Sequence, residues 1–306
     1  MSFTASDVKQ LREMTGAGMM ACKEALTATN GSVDEAVDYL RKKGLAAASK
    51  KQSRIAAEGV VTTVVEGNFG VVLEVNCETD FVAKGDDFKG FADKVAHNLV
   101  KNKVQDVEAL KNSKLEGAAG TVQEGANELT MKCGEKVDVR RFETIALNGN
   151  GFIGNYNHGG RIGTLVALLT DKGSDAQVQE LAKDIAMHVA AASPKFLDGS
   201  QIDENFKKRE AEIYAAQLKE EGKPENMIEK IVMGKLNKLA KEVCLLEQSF
   251  VKNPDVTIAQ QVANVAKAVG ATITVQGFQK LGLGEGIEKK QDNLAEEVAK
   301  ITAGSH

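Results

Sequence analysis

The sequence predicts an α+β fold in which helical segments precede, interrupt and follow a strand-containing core. Three observations support this prediction. Apolar residues recur at helical spacing through the first 44 residues, a strand–turn–strand–helix pattern occurs twice, and residues 200–248 are highly charged without any strand pattern. With 306 residues, the chain is long enough for two or three domains with a substantial core.

Residues 1–54 are expected to form three short helices followed by a basic linker. Ser32 and Glu35 have the spacing of a capping box that opens the third helix, and we expect this helix to end at Gly44. The size and pattern resemble a ubiquitin-associated-like helical module. Two interpretations of the linker stay open: a solvated surface, or a contact with an acidic partner or RNA through residues such as Lys51.

Residues 55–147 contain the first strand–turn–strand–helix unit, which we take as the N-terminal subdomain of the core. Period-two alternation predicts strands at 60–65 and 71–75, and the second of these is expected to be half-buried. A helix with one apolar stripe starts near Asp86, and a polar connection, a further helix and a strand at 136–147 complete the unit.

The same pattern returns in residues 148–199, with strands at 152–156 and 161–169 and a helix at 175–192. Residues 250–285 supply the remaining helix and strand of this second subdomain. The repetition predicts a duplicated α+β core of two related subdomains.

Between the two parts of the second subdomain, residues 200–249 predict an antiparallel helical hairpin, a coiled-coil arm that breaks near Gly222 and Pro224. The uses expected for such an arm are self-association or contact with a partner. Residues 286–306 are expected to form a C-terminal helical module.

The composition excludes several classes of function. A net charge of −4, no Trp and three Tyr provide neither general attraction to nucleic acid nor a stacking platform for single strands. No apolar run approaches the ~18–20 residues that cross a bilayer, and the N-terminus lacks the features of a signal peptide. We therefore expect a cytoplasmic protein without membrane contact or direct nucleic-acid contact.

No catalytic pattern emerges from the sequence. The cysteines at 22, 77, 133 and 244 are far apart and predict reduced core thiols, and the four histidines form no metal-binding pattern. There is no phosphate-binding loop of the Gly-x-x-x-x-Gly-Lys-Ser/Thr type. We expect a protein that is not an enzyme and uses no cofactor or metal, and a thiol nucleophile at Cys77 is the weakest alternative.

The most informative stretch is Leu73-Glu-Val-Asn-Cys-Glu-Thr-Asp-Phe-Val-Ala-Lys84, which begins as a strand and ends in a carboxylate and a phenyl ring. Two interpretations of Phe81 stay open on pattern alone. The ring is either part of the core at the junction of two elements, or Asp80 and Phe81 form a tip that enters a partner, since an aromatic ring beside a charge is typical of an interface anchor.

The chain resembles the bacterial translation elongation factor Ts family over essentially its whole length. Five segments fall in the family's order: residues 11–26, 74–83, 156–163, 188–191 and 284–288. The second, Glu74-Val-Asn-Cys-Glu-Thr-Asp-Phe-Val-Ala83, is the more specific of the two longest. The family's order of domains also agrees with the one predicted above: a ubiquitin-associated-like module, a two-part core, an inserted coiled-coil arm and a C-terminal module.

The resemblance implies guanine nucleotide exchange on elongation factor Tu, without covalent chemistry. The family's Asp-Phe tip enters the GTPase domain of Tu near its Mg²⁺ site, and its counterpart here comprises Thr79, Asp80, Phe81 and Val82. The resemblance also implies weaker contacts with Tu. The N-terminal module of the family docks on the GTPase domain, and a turn in the second subdomain faces the partner, which makes candidates of Leu11, Met19, Met20 and His158.

Two other classes of function remain as alternatives. An adaptor bound to RNA or the ribosome would use the basic stripe around Lys50 and Lys51, and its affinity would fall steeply with salt. An adaptor for ubiquitin-type proteins would use the N-terminal module alone and would leave the predicted core without a role.

Overall fold

The computed structural model describes residues 3–288, with residues 45–50 and 237 described by their backbone alone. Within this range the chain is a mixed α+β protein, as predicted. Among the helices within residues 3–288, none combines the length and apolar character needed to cross a bilayer. The predicted C-terminal helical module at 286–306 lies outside the described residues, apart from its first three positions.

The N-terminal module consists of α1 (Ala5–Thr15), α2 (Met19–Ala28) and α3 (Val33–Lys51). The amide of Glu35 donates to Ser32 Oγ at 3.4 Å, as the capping-box pattern predicts. The prediction that the third helix ends at Gly44 is wrong, because α3 continues to Lys51. Gly44 lies inside this helix and close to Met131: a Cβ atom there would lie 3.4 Å from the sulfur of Met131, in ordinary van der Waals contact.

The first sheet contains β1 (Glu58–Glu66), β2 (Phe69–Cys77) and β3 (Asp138–Ala146), antiparallel in the order β1–β2–β3. The helices between β2 and β3 are α4 (Asp80–Lys84), α5 (Asp86–Asn102), α6 (Val107–Asn112) and α7 (Val122–Cys133). The predicted helix from Asp86 is confirmed. Helix α6 was not predicted, since its only local signals are the N-cap Asp106 and one buried residue, Leu110.

The second sheet begins with β4 (Gly151–His158) and β5 (Ile162–Leu169), followed by α8 (Ala176–Ala192). Two charged helices come next, α9 (Glu204–Glu220) and α10 (Glu225–Val243), and they pack against each other. Leu218, Ile228 and Val232 form an apolar cluster toward the turn between them, and a second cluster lies at the base, with Phe206, Leu239 and Cys244 among its members.

The chain then returns to the second sheet through β6 (Ser249–Phe250), β7 (Asn253–Thr257), α11 (Ile258–Val269) and β8 (Thr274–Gly282). Thr257 and Gln260 form the capping box at the start of α11. Strand β8 pairs with β5, which gives the antiparallel order β4–β5–β8. The pair α9–α10 is therefore inserted within the second sheet's part of the chain.

The two sheets face each other, with α5 on the outer face of the first and α8 on the outer face of the second. The apolar layer between them comprises Val61, Val72, Ile145, Leu147, Ile153, Leu165, Ala167 and Leu281. The sheets approach closely at Gly163, where a Cβ atom would lie 2.7 Å from Val61 Cγ1. Because α5 covers one face of β2 and the second sheet covers the other, the prediction of a half-buried strand at 71–75 is wrong and β2 is buried on both faces.

Candidate partner-binding site

The candidate site is centred on α4, a single helical turn between β2 and α5. Thr79 is its N-cap, and the Thr79 Oγ1 atom accepts a hydrogen bond from the amide of Val82 at 3.4 Å. Val82 packs against the core under the first sheet and Ala83 is buried, so the inner side of the turn is anchored. Phe81 lies on the outer side and is 84% exposed. The core interpretation of Phe81 is therefore wrong.

Asp80 lies beside Phe81 and forms an ion pair with Lys84, with 2.5 Å between Oδ2 and Nζ. The hydrogen bond from Lys84 lowers the pKa of Asp80, so the carboxylate is charged at neutral pH. Because the pair is open to solvent, Lys84 holds Asp80 only weakly. The carboxylate can therefore exchange Lys84 for a donor on a partner at little cost.

An open groove of about 390 Å³ runs beside the tip. Asp80 and Lys84 line one wall, β1 lines the floor, and residues of the β4–β5 turn line the other wall. This turn is fixed to β1, since Gly160 O accepts from Val61 N and Asn157 Nδ2 donates to Val61 O, both at 2.7 Å. The fold thus brings the tip and this turn to one surface of the molecule.

His158 is exposed on the β4–β5 turn, between the groove-lining residues Asn157 and Gly159. Its Nδ1 atom lies 2.9 Å from the hydroxyl of Tyr156. The ring is therefore oriented by a neighbour on its own strand and remains open to solvent beside the groove. Its position agrees with a role in contacting a partner that also meets Asp80.

Met19 and Met20 are 60% and 75% exposed at the start of α2. Together with Phe3 and Val8 they line an open groove of about 620 Å³ whose polar lining includes Lys9, Arg12 and Lys23. Leu11, in contrast, is fully buried in the core of the N-terminal module. The structure contradicts a direct contact through the Leu11 side chain, which supports the helices that carry the two methionines.

Sequence reasoning missed Glu135, which follows α7 and reaches the N-terminus of α4. Its carboxylate accepts two hydrogen bonds from Thr79, from the amide at 2.9 Å and from Oγ1 at 2.7 Å. The two residues are 56 positions apart. No local pattern could have identified Glu135, because its role depends on the β2–β3 pairing that brings the two segments together.

Three basic residues in α3 and just after it are engaged within the molecule. Lys51 donates to the carbonyl of Gly134, Arg54 pairs with Glu78 at 3.2 Å, and Lys43 pairs with Glu24. Such contacts hold the side chains near the protein surface and reduce their freedom to bind phosphates. The alternative of an RNA-bound adaptor therefore gains no support from these residues.

Cys77 and His188 are buried in the interior. Burial, together with the nearby carboxylate of Glu135, raises the pKa of Cys77 to about 12, so this thiol stays protonated and is a poor nucleophile. His188 is buried, bonded through Nε2 to Gln248 at 2.9 Å, and burial lowers its pKa. Within residues 3–288, no cluster of His, Cys, Asp or Glu is arranged to hold a metal ion.

Together these features define a candidate protein-binding surface: an exposed aromatic tip beside a charged groove, on a two-sheet body attached to a three-helix module. Residues 3–40 match the UBA/TS-N domain, and residues 78–285 match the Elongation factor TS family. Proteins named Elongation factor Ts from Clostridium perfringens and Clostridium novyi are 49% and 50% identical over 301 residues, which cover 97% of this chain and 98% of theirs. One from Syntrophotalea carbinolica is 46% identical over 303 residues, 99% of this chain and all of that protein. The chain belongs to the elongation factor Ts family.

Proposed function

We propose that this chain is a guanine nucleotide exchange factor for elongation factor Tu, which promotes GDP release during translation elongation in the cytoplasm. It acts by binding alone, with no cofactor and no covalent chemistry. Membership of the elongation factor Ts family supports this proposal. The observation that carries it is the exposed Phe81 ring on an anchored helical turn, beside the charged carboxylate of Asp80.

The tip formed by Thr79, Asp80, Phe81 and Val82 would act near the Mg²⁺ site of the GTPase domain. A GTPase holds its nucleotide largely through Mg²⁺ and through backbone amides around the phosphates. A ring inserted beside those groups displaces them and loosens the nucleotide without touching it. Asp80 would accept hydrogen bonds from groups that the metal and phosphates otherwise organise.

The energy for this displacement would come from burying Phe81. Burying a fully exposed phenylalanine stabilises a complex by about 1.5–3 kcal/mol, and Phe81 enters the reaction 84% exposed. Because Val82 and Ala83 already fix the turn, little backbone conformational entropy is lost when the tip binds. An anchored turn therefore converts more of this burial energy into binding than a flexible loop would.

Thermodynamic linkage between GDP binding and binding of the chain determines how the chain dissociates from Tu. If the chain weakens GDP binding to Tu by some factor, GDP weakens binding of the chain by the same factor. Nucleotide rebinding then releases the chain, which can act again on another molecule of Tu. Substoichiometric amounts should therefore be sufficient for exchange.

We also propose contacts between the chain and Tu outside the tip. Met19 and Met20 would bind the GTPase domain through the groove on the N-terminal module, and His158 would bind Tu beside the central groove. We also propose that the two sheet-and-helix units arose by duplication. The pair α9–α10 would act as a coiled-coil arm available for self-association or partner contact.

The test is stopped-flow release of a fluorescent GDP from Tu, with and without the chain, in excess unlabelled nucleotide. The proposal predicts faster release at substoichiometric concentrations of the chain, because each molecule acts repeatedly. A folded chain that leaves the release rate unchanged would overturn the proposal.

A further inference from the structure

Two carboxylates join the segment before α4 to the loop after α7. Each segment supplies one carboxylate, which accepts hydrogen bonds from the other segment. Glu135 on the loop accepts from the amide and hydroxyl of Thr79, as described above. Glu78, which precedes Thr79, accepts from the amide of Lys136 at 2.6 Å. We call this arrangement of Glu78, Thr79, Glu135 and Lys136 the carboxylate clamp.

The clamp supports the N-terminus of α4, a helix that has little stability of its own. A helix of five residues has almost no stability of its own, because nucleation fixes several residues for very few hydrogen bonds. Thr79 must keep its backbone extended and its hydroxyl aligned to cap the turn. Glu135 holds both groups through hydrogen bonds to a charged acceptor, which are stronger than bonds between neutral groups.

The same loop also binds the end of the N-terminal module. Lys136 Nζ donates to the carbonyls of Gln52 at 2.8 Å and of Arg54 at 3.3 Å, and Arg54 pairs with Glu78. The clamp therefore connects the segment after α3 to the start of α4. It gives the module that carries Met19 and Met20 a fixed relation to the tip that carries Phe81.

We infer that Glu135 is a positioning residue for Phe81: it fixes the Thr79 N-cap of α4, so that the exposed ring is held in the orientation in which it enters the partner. Glu135 acts through Thr79 and not by contact with the nucleotide. The inference rests on the proposed function and adds to it a residue that no segment of the family resemblance includes.

The first test compares Glu135→Ala and Glu135→Gln in the GDP-release assay. Losing the charged acceptor should lower the second-order rate constant for release about tenfold. Glu135→Gln should recover part of this loss, since its amide oxygen still accepts one of the two bonds. The matched control is Glu143→Ala, an exposed carboxylate on β3, which should leave the rate unchanged. A Glu135→Ala variant that melts like the wild type and retains the wild-type rate would overturn the inference.

A double-mutant cycle separates positioning from general support of the fold. If Glu135 acts by presenting Phe81, Glu135→Ala should cause no further loss in a Phe81→Ala background. If Glu135 only supports the fold, the tenfold loss should persist in that background, and the inference would be wrong.

Hydrogen exchange in the free chain tests the clamp without Tu. The Val82 and Ala83 amides bond to Thr79, to its hydroxyl and its carbonyl. In Glu135→Ala their exchange should accelerate about tenfold relative to amides of α5, because the cap is released. Unchanged protection would overturn the inference even if wild-type chain releases GDP. Failure of the wild type to release GDP would instead overturn the proposed function, and the exchange result would still decide whether the clamp holds α4.

Discussion

Phe81 and Glu74 reverse the usual distribution of residues between surface and core. The phenyl ring is 84% exposed on α4, while the carboxylate of Glu74, seven positions earlier on β2, is fully buried. The buried group is well bonded: Arg140, Arg141, Asn76 and the amide of Gly284 all donate to it, at 2.6–3.1 Å. Because Arg140 and Arg141 lie on β3 and Gly284 lies after β8, Glu74 joins the first sheet to the turn after β8 and stabilises the face-to-face packing.

The bonding of Glu74 predicts a large loss of stability when it is truncated. Glu74→Ala leaves two arginine side chains and the Gly284 amide without their shared acceptor, and it should lower the free energy of unfolding by about 3 kcal/mol. Denaturant unfolding followed by circular dichroism measures this change. The exposed Glu143→Ala, on the same sheet, should change stability by no more than about 0.5 kcal/mol. Equal effects from the two variants would contradict this account of Glu74.

The same residue predicts a dependence of stability on pH. Burial raises the pKa of Glu74, but the hydrogen bonds from Gly284, Arg141 and Asn76 outweigh burial and hold the pKa below its ordinary value of 4.5. Its contribution is therefore complete above pH 4.5 and is lost as pH falls through the lower pKa of the folded state. Unfolding free energies measured from pH 7 to pH 3 should fall more steeply for the wild type than for Glu74→Gln. Parallel curves would exclude Glu74 as a source of acid sensitivity.

At the scale of elements, the sequence predicts what depends on local pattern and misses what depends on distant partners. Apolar periodicity located the strands of both sheets and the helix that starts at Asp86. The extension of α3 past Gly44 was missed because a glycine after an amphipathic stretch is also the usual signal for the end of a helix, and here the helix continues through it. Burial of β2 on both faces was missed because the strand's own alternation does not show that a second sheet covers Val72.

The residues of the candidate site also divide into those that a local motif identifies and those that depend on distant partners. A family resemblance carried by a contiguous motif was enough to select Asp80 and Phe81. Leu11 was selected wrongly, because a motif does not distinguish a core residue from a contact residue. Glu135 could not be selected, since only the folded chain brings it to Thr79.

The packing of α9–α10 predicts that this helix pair can be shortened without destabilising the body, meaning the two sheets and the helices packed on them. Its base cluster, with Phe206 and Leu239, has its own buried members and shares the bordering Leu236 with the cluster of Leu218, Ile228 and Val232 nearer the turn. Replacing residues 212–235 by a short Gly-Ser turn should leave the melting temperature of the body within about 3 °C, measured by calorimetry. A cooperative loss of the whole fold would contradict this prediction.

The shortened variant also tests self-association. If the arm mediates contact between copies, the wild type should form dimers at high concentration and the variant should stay monomeric, as measured by sedimentation equilibrium. Retained dimers in the variant would place the contact elsewhere on the chain.

In the whole molecule, packing holds two candidate surfaces in a fixed relation: the groove beside α4 and the groove on the N-terminal module. Helix α3 contacts α7, where Arg41 pairs with Glu124 at 2.9 Å, and the carboxylate clamp joins the end of the same module to α4. The two sheets fix the β4–β5 turn on the other side of the central groove. Phe81, Met19, Met20 and His158 are therefore held at defined positions relative to one another.

The most direct test of the central claim is the second-order rate constant for fluorescent GDP release from Tu, measured with subsaturating amounts of the wild type, Phe81→Ala and Val251→Ala. Val251 is a matched control, since it is also an exposed apolar residue, at 48%, and lies outside the groove. Losing a hot-spot ring costs about 2 kcal/mol, so Phe81→Ala should be about 30-fold slower while melting like the wild type. Val251→Ala should match the wild type. If Phe81→Ala releases GDP as fast as the wild type, the tip is not the group that loosens the nucleotide and the account is wrong.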